Sequence, residues 1–166
     1  MKTILSILLL VTTFTAVLPA QREAVQFSVQ SIADGDWTNP KIWQPQRLPK
    51  AGDRVLVSSR TSVRFDAKTT PVIRPIQVAG TLRFARDRST ELNVCLLKVQ
   101  AGNKCTERGF ACDFNSLKTN GGPNDHPGKS LPTLEVGTQQ NPIPAVHTAR
   151  IRLHYSEGMD KKDAPA

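Results

Sequence analysis

The sequence is poor in the residue types from which metal centres and many catalytic sites are built. It contains three histidines and three cysteines among 166 residues. The histidines (His126, His147 and His154) lack metal-ligand spacing, and the C-x₆-C spacing of two cysteines is not a zinc pattern. Asp34-Gly35-Asp36 lacks the further oxygen ligands of a calcium loop. No nucleophile elbow, phosphate-binding loop or dinucleotide fingerprint occurs. We therefore expect no metal and no cofactor.

Long hydrophobic runs are also scarce, and the one that exists is at the start of the chain. Lys2 precedes an apolar stretch, Ile4–Val11, and Pro19-Ala20 then offers a small residue at a cleavage position. This order is typical of a secretory signal peptide, with an uncleaved anchor as the alternative. We predict a signal peptide over residues 1–20, a secreted (extracellular or periplasmic) mature chain and no stable membrane span after cleavage.

Secretion would place the three cysteines in an oxidising compartment, where disulfides persist. Cys105 and Cys112 flank a short loop that a disulfide could close, and we expect this pair to be linked. Cys95 lies in an apolar segment and is expected to remain a buried thiol.

Short segments of alternating polarity fill the body of the chain from residue 53 onward. Most are triplets with apolar residues at both ends and a polar residue between them, such as Val63-Arg64-Phe65 and Leu82-Arg83-Phe84. Because successive side chains of a strand face opposite sides, each triplet points two residues inward and one outward. This pattern predicts burial of five apolar residues: Val78, Leu82, Phe84, Val94 and Val136. It also predicts that Gln77 faces solvent.

Two all-β arrangements could bury such short strands. A β-sandwich prefers strands of about five or six residues, whereas the coils of a parallel β-helix use shorter strands that bury their apolar face only by stacking. Triplets with glycine at the turns favour the β-helix, and no stretch of the mature chain predicts a long amphipathic helix.

The chain divides into regions of different composition. We predict one β domain over residues 25–155, in which the bulky residues of 25–50, including Trp37 and Trp43, form an N-terminal cap. Residues 103–132 have few apolar side chains and are predicted to be one long inserted loop. Residues 156–166 are polar and charged and are expected to form a flexible tail.

Several motifs in this order resemble the G-eight domain, which is named for its eight glycines. The motif that resembles the opening of the domain is Asp36-Trp37-Thr38-Asn39-Pro40-Lys41-Ile42-Trp43, followed by Leu48-Pro49-Lys50-Ala51-Gly52-Asp53-Arg54-Val55. The central unit is Ile76-Gln77-Val78-Ala79-Gly80-Thr81-Leu82-Arg83-Phe84, and the closing portion contains Leu134-Glu135-Val136-Gly137-Thr138 and Ala149-Arg150-Ile151-Arg152-Leu153.

The family occurs in secreted or cell-surface proteins, including fibrocystin and the cell-surface hyaluronidases. The resemblance implies an all-β domain akin to the start of a right-handed parallel β-helix, associated with extracellular glycan processing. In the hyaluronan-cleaving members the domain is part of a much longer protein, so an activity of their kind is not expected from this domain alone.

Candidate acid–base residues are seven carboxylates: Asp34, Asp36, Asp53, Asp66, Asp87, Glu91 and Glu135. Glycoside hydrolysis requires two of them on opposite sides of the scissile bond, and no spacing indicates that a pair converges. Asp53 and Asp66 are interpreted as turn or corner residues. We therefore predict no catalytic residue.

Basic residues outnumber acidic ones by 22 to 14, a formal net charge of +8. Four of the basic residues occupy the middle positions of triplets and should face solvent: Arg64, Arg83, Lys98 and Arg152. If their strands stack in register, they form a basic ladder that Arg86 and Arg88 extend at a corner. Such a surface attracts acidic polysaccharide, and these four are the predicted glycan-binding residues; the alternative is a solvated cationic face with no ligand. Secretion and the lack of accompanying aromatic residues argue against nucleic acid as a partner.

Three functions are consistent with these observations. The leading one is a secreted noncatalytic module whose partner is an acidic extracellular polysaccharide or another extracellular protein. The alternatives are a carbohydrate-active enzyme, of the hyaluronidase or polysaccharide-lyase kind, and a purely structural adhesion module.

Overall fold

The computed structural model describes residues 26–102 and 131–155. These residues form ten strands: β1 (Val29–Ser31), β2 (Gly35–Asp36), β3 (Trp43–Gln44), β4 (Val55–Val57), β5 (Ser62–Phe65), β6 (Ile73–Val78), β7 (Thr81–Phe84), β8 (Thr90–Val99), β9 (Thr133–Glu135) and β10 (Ala149–Leu153). A short 3-10 helix spans Pro40–Ile42, and this part of the chain has no α-helix. The predicted all-β class is confirmed.

The strands form two sheets, and the chain alternates between them from β4 to β10. The first sheet has the order β10-β8-β6-β4-β1-β3 and the second has the order β2-β5-β7-β9. Neighbouring strands run parallel in both sheets except β1 and β3, which are antiparallel, so the first sheet is mixed. Parallel neighbours require a crossover connection, and here a strand of the opposite sheet provides it.

The core lies between the two sheets and is built from the ends of the apolar triplets. On the first sheet Val55 and Val57 lie beside Ile76 and Val78, and on the second sheet Val63 and Phe65 lie beside Leu82 and Phe84. Every one of these side chains is buried. The period-two pattern therefore identified the inward face of these strands, as expected for side chains that alternate across a pleated strand.

Both tryptophans belong to this core. Trp43 Nε1 donates to Trp37 O over 2.9 Å, which satisfies the one polar group of a fully buried indole. The two indole rings meet edge-on with centroids 4.9 Å apart, and Trp37 contacts Phe65 in the same way at 5.2 Å. The structural interpretation of both residues is confirmed, and neither presents a ring for stacking on a sugar.

Turns of successive strand pairs lie on top of one another at one edge of the sheets. Ser58 N donates to Ser31 Oγ over 2.8 Å, and Thr61 Oγ1 donates to Ser58 O over 2.8 Å. Gly80 lies directly over this turn, where a Cβ would come within 2.2 Å of Ser58 O and 2.4 Å of Thr61 O. Glycine is required at this position because the two backbones approach too closely for any side chain.

The burial predictions were correct for four residues and wrong for two. Val78, Leu82, Phe84 and Val94 are buried, but Val136 is 44% exposed because β9 ends at Glu135. Gln77 was expected to face solvent and is instead fully buried. Its Nε2 donates to Gly102 O over 2.7 Å and to Gln100 O over 3.4 Å, because the chain leaving β8 turns back over it.

Cys95 lies on β8 and is half-buried rather than buried. The signal peptide 1–20, the Cys105–Cys112 disulfide, nearly all of the 103–132 insertion and the tail 156–166 lie outside the described residues, and they remain predictions.

Candidate functional site

The outward face of the second sheet carries a row of four charged side chains. Asp36 on β2 lies beside Arg64 on β5, Arg64 lies beside Arg83 on β7, and Arg83 lies beside Glu135 on β9. The row arises because the parallel strands are in register, and because Arg64, Arg83 and Glu135 are each the middle residue of a triplet. Its two arginines are thus flanked by one carboxylate at each end.

Arg64 is held by two carboxylates. Its NH1 donates to Asp36 Oδ1 over 3.0 Å and its NH2 donates to Asp87 Oδ1 over 2.6 Å. The hydrogen bond to Asp36 raises the pKa of Arg64 above its ordinary value, so the guanidinium stays charged. Hydrogen bonds from Arg88 and then from Arg64 lower the pKa of Asp87 to about 2. These two ion pairs hold the guanidinium group of Arg64 in one orientation in the absence of a ligand.

Arg83 and Arg86 differ in what holds them. Arg83 Nε donates to Glu135 Oε2 over 3.0 Å. Arg86 follows β7 at the corner, where its NH1 donates to Asn141 Oδ1 over 3.1 Å and its Nε donates to Pro142 O over 3.3 Å. Both of these acceptors are neutral, so they orient Arg86 without neutralising its charge.

An open depression of about 450 Å³ joins these three arginines. We call it the arginine depression; its lining residues are Arg64, Arg83, Phe84, Ala85, Arg86, Asp87 and Pro144. The guanidinium groups of the three arginines lie beside the carboxylate of Asp87 in this lining, whereas the Phe84 side chain belongs to the core between the sheets. An open depression lined by three guanidinium groups can accept a carboxylate or sulfate group of a ligand.

The structure brings two of the four predicted glycan-binding residues together and separates the other two. Arg64 and Arg83 are neighbours in the arginine depression, whereas Lys98 and Arg152 lie on β8 and β10 of the first sheet. Lys98 is half-buried beside Gln77. The single ladder expected from the sequence is therefore divided between two sheets.

Arg152 belongs to a second charged cluster. Its Nε donates to Glu91 Oε2 over 3.0 Å, and Arg150 NH1 donates to the same oxygen over 2.9 Å. The hydrogen bond from Arg150, with further help from the Arg152 charge, lowers the pKa of Glu91. Two guanidinium groups share one carboxylate, which leaves this cluster with an excess of positive charge.

Two of the candidate carboxylates serve the fold. Asp66 accepts from Thr38 N over 3.0 Å and from Thr38 Oγ1 over 2.6 Å. Asp53 accepts from Arg47, from Lys50 N over 2.8 Å and from Ser28 Oγ over 2.9 Å. The structural interpretation of both residues is confirmed. Within the described ranges no three histidine, cysteine or acidic side chains are grouped so that they could hold a metal ion.

The sequence predicts Arg86 only as an extension of the ladder and does not predict the residues that surround it. Asn141, Pro142 and Pro144 come from the segment between β9 and β10, more than fifty residues further along the chain. No local pattern in Gln139–Pro144 indicates this contact, which depends on how the last strands stack on β7.

The chain is similar to proteins of one family. The sequence model of the G8 domain matches residues 42–166. Fibrocystin from Mus musculus is 35% identical over 75 residues, an alignment that covers 40% of this chain and 2% of fibrocystin. The chain therefore spans only a small fraction of that relative's length. No solved structure matches the chain.

Proposed function

The chain belongs to the G8 domain family, and from this premise we propose that it is an extracellular, noncatalytic module that contacts acidic polysaccharide through the arginine depression. The observation that carries the proposal is the convergence of Arg64, Arg83 and Arg86 on one open surface.

The three arginines have complementary roles in this proposal. Asp36, Asp87 and Glu135 hold Arg64 and Arg83 in place, so little side-chain entropy is lost when a ligand binds. Arg86 contributes a positive charge, because no carboxylate among the described residues contacts its guanidinium group. Its remaining N–H groups can donate to a carboxylate or sulfate of the ligand. Because a planar guanidinium matches the geometry of these anions, arginine suits the task better than lysine.

A noncatalytic role agrees with the electrostatics of the depression. A general acid for glycoside hydrolysis must be protonated near neutral pH. Asp87, the carboxylate in the lining, has a pKa of about 2 and is ionised there. Its two arginine partners make it a structural anchor for the cations.

The finer architecture and the location of the protein are part of the same proposal. Alternation of the chain between two mostly parallel sheets supports a right-handed parallel β-helix of short coils. The signal peptide predicted over residues 1–20 supports secretion. No helix among the described residues is long and apolar enough to cross a membrane.

Carboxymethyl dextran and unmodified dextran form a matched pair of probes, since they share a backbone and differ in charge. We expect the mature protein to bind the carboxymethylated polymer, with affinity that falls as salt rises because exposed charges are screened over about 8–10 Å. Arg86→Gln should weaken this binding, and Lys98→Gln/Arg152→Gln should not, since Lys98 and Arg152 lie on the other sheet.

Equal binding of both dextrans, or unchanged binding by Arg86→Gln, would remove the support for the arginine depression. If the Lys98/Arg152 variant alone lost binding, the ligand would belong to the first sheet instead. Both variants remove positive charge from the surface, so both lower the non-specific attraction of the protein for the anionic polymer. A loss of binding in only one variant therefore cannot be explained by net charge.

A further inference from the structure

Strand β10 forms one edge of the first sheet. Among the described strands it pairs with β8 alone, from Ala149 beside Thr90 to Leu153 beside Val94. Leu153 is 55% exposed and Tyr155, just past the strand, is 56% exposed. An edge strand with exposed apolar side chains can accept an additional strand.

The direction of the backbone groups on β10 follows from two hydrogen bonds. Thr148 O accepts from Thr90 N over 2.8 Å, and His154 N donates to Val94 O over 2.9 Å. In a parallel ladder the N–H and C=O of one residue point to the same side, and this side alternates along the strand. The even-numbered residues therefore face β8, and the N–H and C=O groups of Ala149, Ile151 and Leu153 point to the open edge.

The side chains of β10 are sorted by charge across its two faces. Arg150 and Arg152 lie on the outer face, where they share Glu91, and Ile151 packs against the core from the inner face. A strand added beside β10 would meet cations on one face and apolar side chains on the other. Cross-strand pairs of opposite charge are favourable, so the matching strand carries acidic residues outward and apolar residues inward.

A second copy of the chain fits this edge poorly. A two-fold antiparallel pairing centred on Ile151 would place Arg150 of one copy opposite Arg152 of the other. Like charges directly opposite each other destabilise a strand pair, and charged edge residues are a common protection against self-association.

We propose that the open edge of β10 binds an extended acidic peptide segment of a partner protein by strand addition. The ligand is a run of alternating acidic and apolar residues whose backbone continues the first sheet. This surface is separate from the arginine depression, which lies on the second sheet.

Binding can be measured with a labelled peptide of alternating glutamate and valine, about eight residues long, with an alternating lysine–valine peptide as the charge control. We expect the acidic peptide to bind and the basic peptide not to bind. Leu153→Pro removes a backbone N–H that faces the open edge, where proline is tolerated, and should weaken binding by about tenfold. Leu153→Val keeps that N–H and an apolar side chain and should bind like the wild type.

Arg150→Gln/Arg152→Gln provides an independent test that does not change the backbone. It should also weaken binding of the acidic peptide, while binding of carboxymethyl dextran and the unfolding temperature stay close to those of the wild type. The proposal is overturned if the acidic peptide does not bind, if the basic peptide binds equally well, or if Leu153→Pro binds like Leu153→Val. A dimer that Leu153→Pro dissociates would likewise overturn it, because the edge would then belong to a second copy.

Discussion

Asp53 is a buried carboxylate that accepts four hydrogen bonds, and replacing it by asparagine removes its charge. Asp53 accepts from Arg47 NH1 over 2.5 Å and from Arg47 NH2 over 2.9 Å, in addition to Lys50 N and Ser28 Oγ. Its side chain is 7% exposed. Asparagine keeps the shape of the side chain but loses the charge and one of the two acceptors, so Arg47 is left without its ionic partner.

The size of the effect follows from the pKa of Asp53. Burial alone would raise this pKa, but the hydrogen bonds from Arg47, Lys50 and Ser28 outweigh it and lower the pKa to about 2, against an ordinary value of 3.8. Since one pKa unit corresponds to about 1.4 kcal/mol, the ionised carboxylate contributes about 2 kcal/mol to folding. A folded-state pKa below the unfolded value means that this contribution is complete above about pH 4 and is lost as the pH falls through about 2.

Urea unfolding followed by the fluorescence of the buried tryptophans, Trp37 and Trp43, measures this contribution. At pH 7 we expect Asp53→Asn to unfold at about 1 M less urea than the wild type, and we expect the difference to shrink between pH 4 and pH 2. Asp34→Asn is the control, because Asp34 is exposed and asparagine can still accept from Ser62 N. It should change stability by less than about 1 kcal/mol. Equal stability of wild type and Asp53→Asn at pH 7, or a difference that does not depend on pH, would show that the charge of Asp53 does not stabilise the fold.

Two further predictions concern the backbone contact and the strand faces, and the same urea assay tests both. Gly80→Ala should destabilise the protein by about 2–3 kcal/mol, because its Cβ would overlap backbone oxygens of the preceding turn. Gly52 has a φ of +77° and open space around an added methyl group, so Gly52→Ala should destabilise the protein by only about 1 kcal/mol. Comparable losses at both glycines would contradict the close stacking of turns. Val78→Asp should prevent folding, and Gln77→Asp should also be strongly destabilising, because both positions are buried and Gln77 faces two carbonyl oxygens. Full tolerance of Gln77→Asp would show that this face is accessible to water.

The inward faces of the strands could be predicted because burial and strand geometry are both local. Val63-Arg64-Phe65 and Leu82-Arg83-Phe84 each contain their own two-in, one-out pattern, and it is the pattern observed. The burial of Gln77 does not follow from this pattern, because it depends on the position of Gln100 and Gly102, in the segment that follows β8. The alternation of apolar and polar residues indicates which side of a strand a residue faces. It does not indicate whether another segment covers that side.

The candidate site was predictable only in part for a similar reason. Triplet spacing placed Arg64 and Arg83 outward, and their register on parallel strands made them neighbours. The separation of Lys98 and Arg152 from them depends on which sheet each strand joins, a choice that an apolar–polar–apolar triplet does not encode. The partners of Arg86 depend on contacts between segments far apart in the sequence.

In the proposed function Arg86, in the arginine depression, contacts the anionic groups of the ligand. Side-chain NMR of arginine Nε–H groups during titration with a carboxymethylated dextran oligosaccharide tests it directly, because each guanidinium reports its own environment. We expect the Arg86 resonance to shift most. The Arg64 and Arg83 resonances should shift less, because carboxylates already hold these side chains, and the resonance of Arg152 on the first sheet should not shift. A shift of the Arg152 resonance with an unchanged Arg86 resonance would show that the ligand binds the first sheet and not the arginine depression.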